Sequence, residues 1–203
     1  WIVEANKQFI IIGNINCVTY KEVFPLLRDN KVWMGCTIHS GDREFGVPDE
    51  YPLEAAGCRI DENGKKYIRV KGVRWYTNID HGRRHNPLSL MSMADNIKYS
   101  KHKDIQGKKY QHYDNYDAIE IPYTDAIPCD YENLMGVPVT FLDKYCPEQF
   151  DIIWQACGNT RASAPKEILD EVGYTIHPED RGGCGVVNNK RQYARILIRK
   201  KHL

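Results

Sequence analysis

The sequence predicts an α/β protein with a mixed sheet, and three stretches carry that prediction. Phe9-Ile10-Ile11-Ile12 is an unbroken apolar run with strong strand preference. Such a run suits a strand buried on both faces, as in a parallel sheet. Cys58-Arg59-Ile60 and Tyr67-Ile68-Arg69-Val70 flank Asp61-Glu62-Asn63-Gly64, whose Asn-Gly pair favours a tight hairpin. Tyr193 to Arg199 alternates, which predicts a strand with Tyr193, Arg195, Leu197 and Arg199 on one face, and so with a basic face and an apolar face. The chain has 203 residues, 42% of them apolar, enough for one large domain or two small ones. Mean hydropathy is −0.57, and no apolar run approaches the roughly 18 residues of a membrane span.

The elements follow in order. Trp1 to Lys7 reads as the tail of a helix that begins upstream. A parallel strand needs a crossover before it, so the first strand starts too soon for a complete unit and the chain is expected to be a fragment. Gly13-Asn14-Ile15-Asn16 ends that strand with a permissive residue and two amides, at the strand end where open α/β sheets bind ligands. Thr19 and Glu22 have capping-box spacing and predict a helix start, while Pro25 predicts a kink or a late start. Residues 31–36 read as a strand and 40–56, rich in Gly, Pro and charge, as a long loop. After the hairpin, 73–79 reads as another strand, and the hairpin and this strand together read as an antiparallel continuation of an initially parallel sheet. Residues 80–112 are polar and basic without a clear period, a boundary or mobile arm. Residues 137–142 resume strand character, Pro147 to Phe150 opens a short element leading into Ile152-Ile153-Trp154, 165–171 is a short helix with Pro near its first turn, and 177–189 is loop. The expected division is 1–80 and 81–203.

Net charge is +1, which by itself selects no partner, but the charges are segregated. Residues 81–112 carry Arg83, Arg84, Lys98, Lys101, Lys103, Lys108 and Lys109 against Asp95 and Asp104, whereas residues 113–151 hold nine acids and one Lys. The C-terminus has Lys190, Arg191, Arg195, Arg199, Lys200 and Lys201 and no acid. A polyanion-binding face needs such segregation, and so does an ordinary patchwork of solvated loops. Seven scattered cysteines without C-x-x-C fit reduced thiols in a cytoplasmic protein, and no signal peptide pattern is visible. His81 and His85 stand four apart, but Gly82 argues against the helix a shared metal would need, so no metal is expected. No G-x-S-x-G, P-loop or G-x-G-x-x-G occurs, and no nucleophile is nominated. Tyr113-Asp114-Asn115-Tyr116 and Arg74-Trp75-Tyr76-Thr77-Asn78 mix aromatics with polar groups, which suits stacking on bases and equally suits packing on a core.

The segments FIIIGNINCVTYKEVFPLLRDNKVWMG, VPDEYP, RIDENGK, RWYTNID, YDNYDAIEI, MGVPVTFLDKYCPEQFDII and YARILIRKK, in this order, resemble the EcoRI-type adenine-specific DNA methyltransferases. The resemblance runs from residue 8 to the C-terminus and is weakest over 80–112 and 155–190. It implies methyl transfer from S-adenosylmethionine to adenine N6 in double-stranded DNA, within a bacterial or phage-type restriction–modification setting. It implies a cognate restriction endonuclease, with no direct complex. The family's Asn-Pro-Pro-Phe motif is expected upstream of Trp1, because Asn86-Pro87-Leu88 lacks the second Pro and the aromatic. The resemblance therefore implies the second half of a Rossmann-like methyltransferase sheet with an antiparallel hairpin, plus a β-rich DNA-recognition region. It leaves no catalytic residue in this chain and predicts that the fragment alone is inactive. Gly13, Asn14 and Asn16 would wall the active site. Arg74, Tyr76, Asn78, Arg83, Arg84, Asn86, Lys101, Lys103, Lys108, Lys109, Tyr113, Asn115 and Tyr116 would contact DNA.

Two other readings stand beside this one. A stand-alone DNA-binding or specificity module would need only the polarised charge. A restriction nuclease would need Asp114, Asp117 and Glu120 to be followed by Glu-x-Lys on a strand, and no such pair follows.

Overall fold

A computed structural model describes residues 1–38 and 41–201. Twelve strands among them form two main sheets, a projecting arm and a short ribbon. The first sheet has the order β1-β6-β2, with β1 at Ile10–Asn14, β2 at Trp33–Met34 and β6 at Val73–Thr77. Both β1 and β2 run antiparallel to the central β6. They are therefore parallel to each other, on either side of a reversed strand.

This corrects the expectation for the isoleucine run. β1 is an edge strand, and Ile10, Ile11 and Ile12 are 61%, 43% and 45% exposed. Its only strand neighbour among the described residues is antiparallel, so its apolar faces lack the second strand that the run predicts. Residues 1–7 do close like a helix end. The Lys7 N–H donates to Ile2 O and the Asn6 N–H to Val3 O, with Asn6 at φ 50°, the pattern of a Schellman motif.

The predicted capping box does not form. Asn14 caps a 3₁₀ turn over Ile15–Thr19 by accepting from the Asn16 N–H at 2.9 Å, and Thr19 Oγ1 donates to Asn16 O. Helix α1 (Phe24–Arg28) starts late, with Pro25 in its first turn where a missing N–H costs nothing.

Within the predicted loop 40–56, whose position 40 lies outside the described residues, the chain forms β3 (Arg43–Val47). With β4 (Cys58–Ile60) and β5 (Lys66–Val70) it makes an antiparallel arm in the order β3-β5-β4, so the hairpin pairs with β3 in a sheet of its own and does not continue the first sheet as expected. Gly64 turns the predicted hairpin at φ 78°. No residue of this arm joins either apolar core.

The aperiodic stretch 80–112 contains helix α2 (Met93–Tyr99), capped by Ser92, whose Oγ accepts from the Asp95 N–H. Beyond it lies the second sheet, β7-β8-β12-β9. Its strands are β7 (Ala118–Glu120), β8 (Leu134–Pro138), β9 (Phe150–Ala156) and β12 (Arg195–Lys200). β7 and β8 are parallel, and β12 runs antiparallel to both of its neighbours. β8 begins three residues before the predicted strand, and Val139–Lys144 is 3₁₀. Short helices α3 (Thr160–Ser163) and α4 (Lys166–Glu171) follow β9. Strands β10 (Val186–Val187) and β11 (Lys190–Arg191) form a ribbon inside the predicted 177–189 loop.

One apolar core joins Phe24, Leu27 and Met34 to Phe141, Phe150, Trp154 and Ile198, so it draws on both sides of position 80. The Phe24 ring meets Trp154 edge-on at 5.3 Å, fastening α1 to β9. β12 is buried on both faces, with Ile196, Leu197 and Ile198 all inaccessible. The basic face expected of it is neutralised. Arg195 Nη2 lies 2.6 Å from Glu120 Oε1, and Arg199 Nη1 lies 3.2 Å from Glu171 Oε1.

Candidate nucleic-acid interface

The tip of β1 opens onto a concavity of about 1070 Å³. Trp1, Phe9, Ile11, Ile12 and Val32 give it an apolar wall, and Glu4, Glu22 and Lys31 contribute charge. Of the three predicted wall residues, Gly13 lines it. A Cβ on Gly13 would come within 2.9 Å of the Tyr76 ring, so the tip depends on close approach between β1 and β6. Asn14 and Asn16 do not line the concavity. The Asn14 amide is committed to Lys71 O and to the 3₁₀ turn, while Asn16 is exposed beside it.

The predicted DNA contacts divide into an interior and an exterior set. Arg74 is 5% exposed and forms a bidentate pair with Asp143, Nε to Oδ1 at 2.8 Å and Nη2 to Oδ2 at 2.9 Å. Tyr76 lies beneath β1 and donates its hydroxyl to Asn14 O at 2.7 Å, and burial raises its pKa. Asn78 joins the strand to the N-terminal segment, accepting from the Phe9 N–H and donating to Lys7 O. Arg84 stacks over Trp33 at 3.9 Å and donates to Asn30 Oδ1, which leaves its side chain 11% exposed.

Tyr113, Asn115 and Tyr116 are likewise interior. The Tyr113 hydroxyl donates to Glu120 Oε2, and burial followed by the Glu120 charge pushes its pKa well up. Glu120 Oε1 in turn receives Arg195 Nε and Nη2. Tyr116 donates to Gly183 O, and Asn115 bridges Cys184 O and the Val186 N–H, both at 2.9 Å. All these residues hold the fold. Most of their hydrogen-bond partners lie 54 to 71 residues away, which alternation along a strand does not reveal, while Glu120 is seven residues from Tyr113.

Arg83, Asn86, Lys103, Lys108 and Lys109 are exposed, and Arg83 donates to Cys36 O at 3.0 Å. Lys101 is exposed but ion-paired to Asp125 at 2.7 Å. His85 lies between two carboxylates, Asp80 at 2.9 Å and Glu148 at 2.8 Å. Hydrogen bonding to Asp80 first and Glu148 second raises its pKa. This clasp ties the 3₁₀ turn Gly82–His85 to the turn before β9.

Comparison with known proteins decides the family. The family model for the adenine-specific methyltransferase EcoRI matches residues 1–201. The chain belongs to the EcoRI-type adenine-specific methyltransferase family. Over 202 residues it is 39% identical to the Type II methyltransferase M.EcoRI of Escherichia coli, covering all of this chain and 53% of that protein. It is 32% identical over 206 residues to the Type II methyltransferase M.MgeORF184P of Mycoplasma genitalium, covering 60% of it. It is 27% identical over 203 residues to M.MpnI of Mycoplasma pneumoniae, covering 59% of it. The chain thus spans between about half and three-fifths of these curated relatives. No solved structure matches.

Proposed function

We propose that residues 1–203 form the portion of a DNA adenine-N6 methyltransferase that walls the target-base pocket and holds double-stranded DNA. The family match across residues 1–201 carries the reading. The first sheet supports it, because parallel strands β1 and β2 around the reversed β6 suit one end of a mixed α/β sheet of the Rossmann-like methyltransferase kind. The unpaired outer edge of β1 and its exposed isoleucines suit pairing with a further strand. Residues 1–80 are assigned to the catalytic domain and 81–203 to target recognition.

The chemistry asks two things of this portion. The N6 lone pair of adenine is delocalised into the ring, so the base must leave the stack and meet hydrogen-bond acceptors at its amino group. The wall around Gly13 borders the space where that base would be received. The exposed cations Arg83, Lys103, Lys108 and Lys109 would meet phosphates, and Asn86 a base edge.

S-adenosylmethionine is the methyl donor that the family implies. The described residues do not fit it by themselves. Among the described residues, the buried side-chain polar atoms without partners belong to His81, Arg84, Asn96, Trp154 and Gln155, and none of these residues lines the concavity. No residue here is assigned to the cofactor, and the 203 residues alone are proposed to be inactive.

The test is methylation of duplex DNA by the full-length gene product with labelled S-adenosylmethionine. Label on adenine is expected, and residues 1–203 alone should transfer none. Duplex binding without label on any DNA would instead favour the stand-alone specificity module.

A further inference from the structure

The ribbon β10–β11 is a basic element whose tip is tied to the segment that follows the exposed Lys108 and Lys109. Val187 and Lys190 pair across a two-residue turn, Asn188-Asn189. Both asparagines have positive φ, 50° and 60°, as the tight turn favoured by twisted hairpins requires. Val186 and Val187 are buried and root the ribbon, while Asn188, Asn189, Lys190 and Arg191 are exposed.

The base of the ribbon is fixed by the Tyr113–Asp117 turn. The Asp114 N–H donates to Val186 O at 2.7 Å, and the Val186 N–H donates to Asn115 Oδ1 at 2.9 Å. At the tip, the Asn189 N–H donates to Asp114 Oδ2 at 2.7 Å. Asn188 Nδ2 donates to Gln111 Oε1 at 3.1 Å, and Gln111 Nε2 donates to Lys109 O. Two segments some 80 residues apart in the chain therefore share one edge.

The cations of this edge differ from the others near the C-terminus. Arg195, Arg199 and Lys201 are ion-paired, and Lys200 Nζ donates to Cys129 O. Among the described residues, Lys108, Lys109, Lys190 and Arg191 make no salt bridge. Tyr193 follows at 87% exposure, an aromatic on the surface beside unpaired cations.

We propose that this ribbon is a DNA-contacting element, with Lys190 and Arg191 gripping phosphates while the Asn188-Asn189 tip enters the major groove. The groove, about 12 Å wide, admits a two-stranded ribbon, and a rigid root is what lets a short ribbon keep its register there. Asn115 is a positioning residue for this element. The proposal rests on the methyltransferase reading and names residues within it.

The experiment measures binding of a roughly 30-base-pair duplex by fluorescence anisotropy across a salt series, using the full-length protein. For Lys190→Ala/Arg191→Ala, loss of two phosphate contacts flattens the plot of log affinity against log salt by about 2. A charge-matched control, Lys65→Ala/Lys166→Ala, should keep the parental slope. Equal slopes for the parent and the ribbon variant, or an equal loss in the control, would overturn the ribbon assignment and leave the methyltransferase reading intact. A parent that binds no duplex would overturn the methyltransferase reading itself. Circular dichroism melts identify any unfolded variant. In that case the singles Lys190→Gln and Arg191→Gln replace it, each expected to lower the slope by about 1.

Discussion

Replacing Arg74 with alanine separates a structural cation from a DNA-binding one. The Arg74 and Asp143 side chains are 6% and 4% exposed, and both guanidinium–carboxylate hydrogen bonds are under 3 Å. Removing the guanidinium leaves a carboxylate in the interior without its cation, which costs about 3–5 kcal/mol. An unfolding entropy of about 2.1 cal/mol/K per residue makes that a fall in Tm of about 10 °C for a chain of this length. Urea denaturation of Arg74→Ala, Asp143→Ala and the double variant closes the cycle. The two single losses should be far from additive, with a coupling above about 2 kcal/mol. Arg74→Met/Asp143→Leu should recover most of the loss, because well-packed apolar pairs often replace buried ion pairs without penalty. The salt dependence of DNA binding should not change in any variant that remains folded. Arg74→Ala melting like the parent while its DNA affinity fell would refute the reasoning and return Arg74 to the interface.

Three further outcomes follow from the geometry. The raised pKa of His85 means that its clasp contributes fully below the ordinary histidine value of 6.5 and is lost as pH rises through the raised value. Tm should therefore decline across that window in the parent and not in His85→Gln, and the imidazole proton shift followed by NMR should show the same raised midpoint. Asp180 is 1% exposed; burial disfavours its charge, but hydrogen bonds from Tyr174, the Gly182 and His177 N–H groups and Arg161 outweigh burial and hold its pKa at about 2 instead of 3.8. Its contribution is present above 3.8 and lost as pH falls through about 2, so Asp180→Asn should cost about 2 kcal/mol at pH 7 in denaturant titrations and flatten the acid limb. Gly136→Ala would bring a Cβ within 2.7 Å of Tyr113 Cε2, and calorimetry should show a loss of about 1–3 kcal/mol from overpacking.

The hairpin around Asn63-Gly64 and the helix at 166–171 were legible because each rests on contacts within a few residues, and the strand at 73–77 because its β-branched and aromatic residues favour a strand although its partners β1 and β2 lie far away in the chain. β3 was missed because Gly46 and its charged neighbours look like loop, yet an antiparallel partner at 66–70 supplies its hydrogen bonds. The β10–β11 ribbon was missed too, although Asn188-Asn189 between Val-Val and Lys-Arg is a readable turn signal. Arg74, Arg84 and Tyr113 illustrate the harder failure. Nothing local distinguishes a cation or phenol awaiting DNA from one already engaged by Asp143, by Trp33 or by Glu120.

The order of its motifs along the chain was enough to fix this protein's family, and short-range turn and periodicity signals fixed several of its elements. Only the tertiary structure decided which polar groups are free to meet a polyanion. That question depends on the carboxylates and carbonyls that folding brings from distant positions, and a buried charge that has found its partner there has no net attraction left for phosphate.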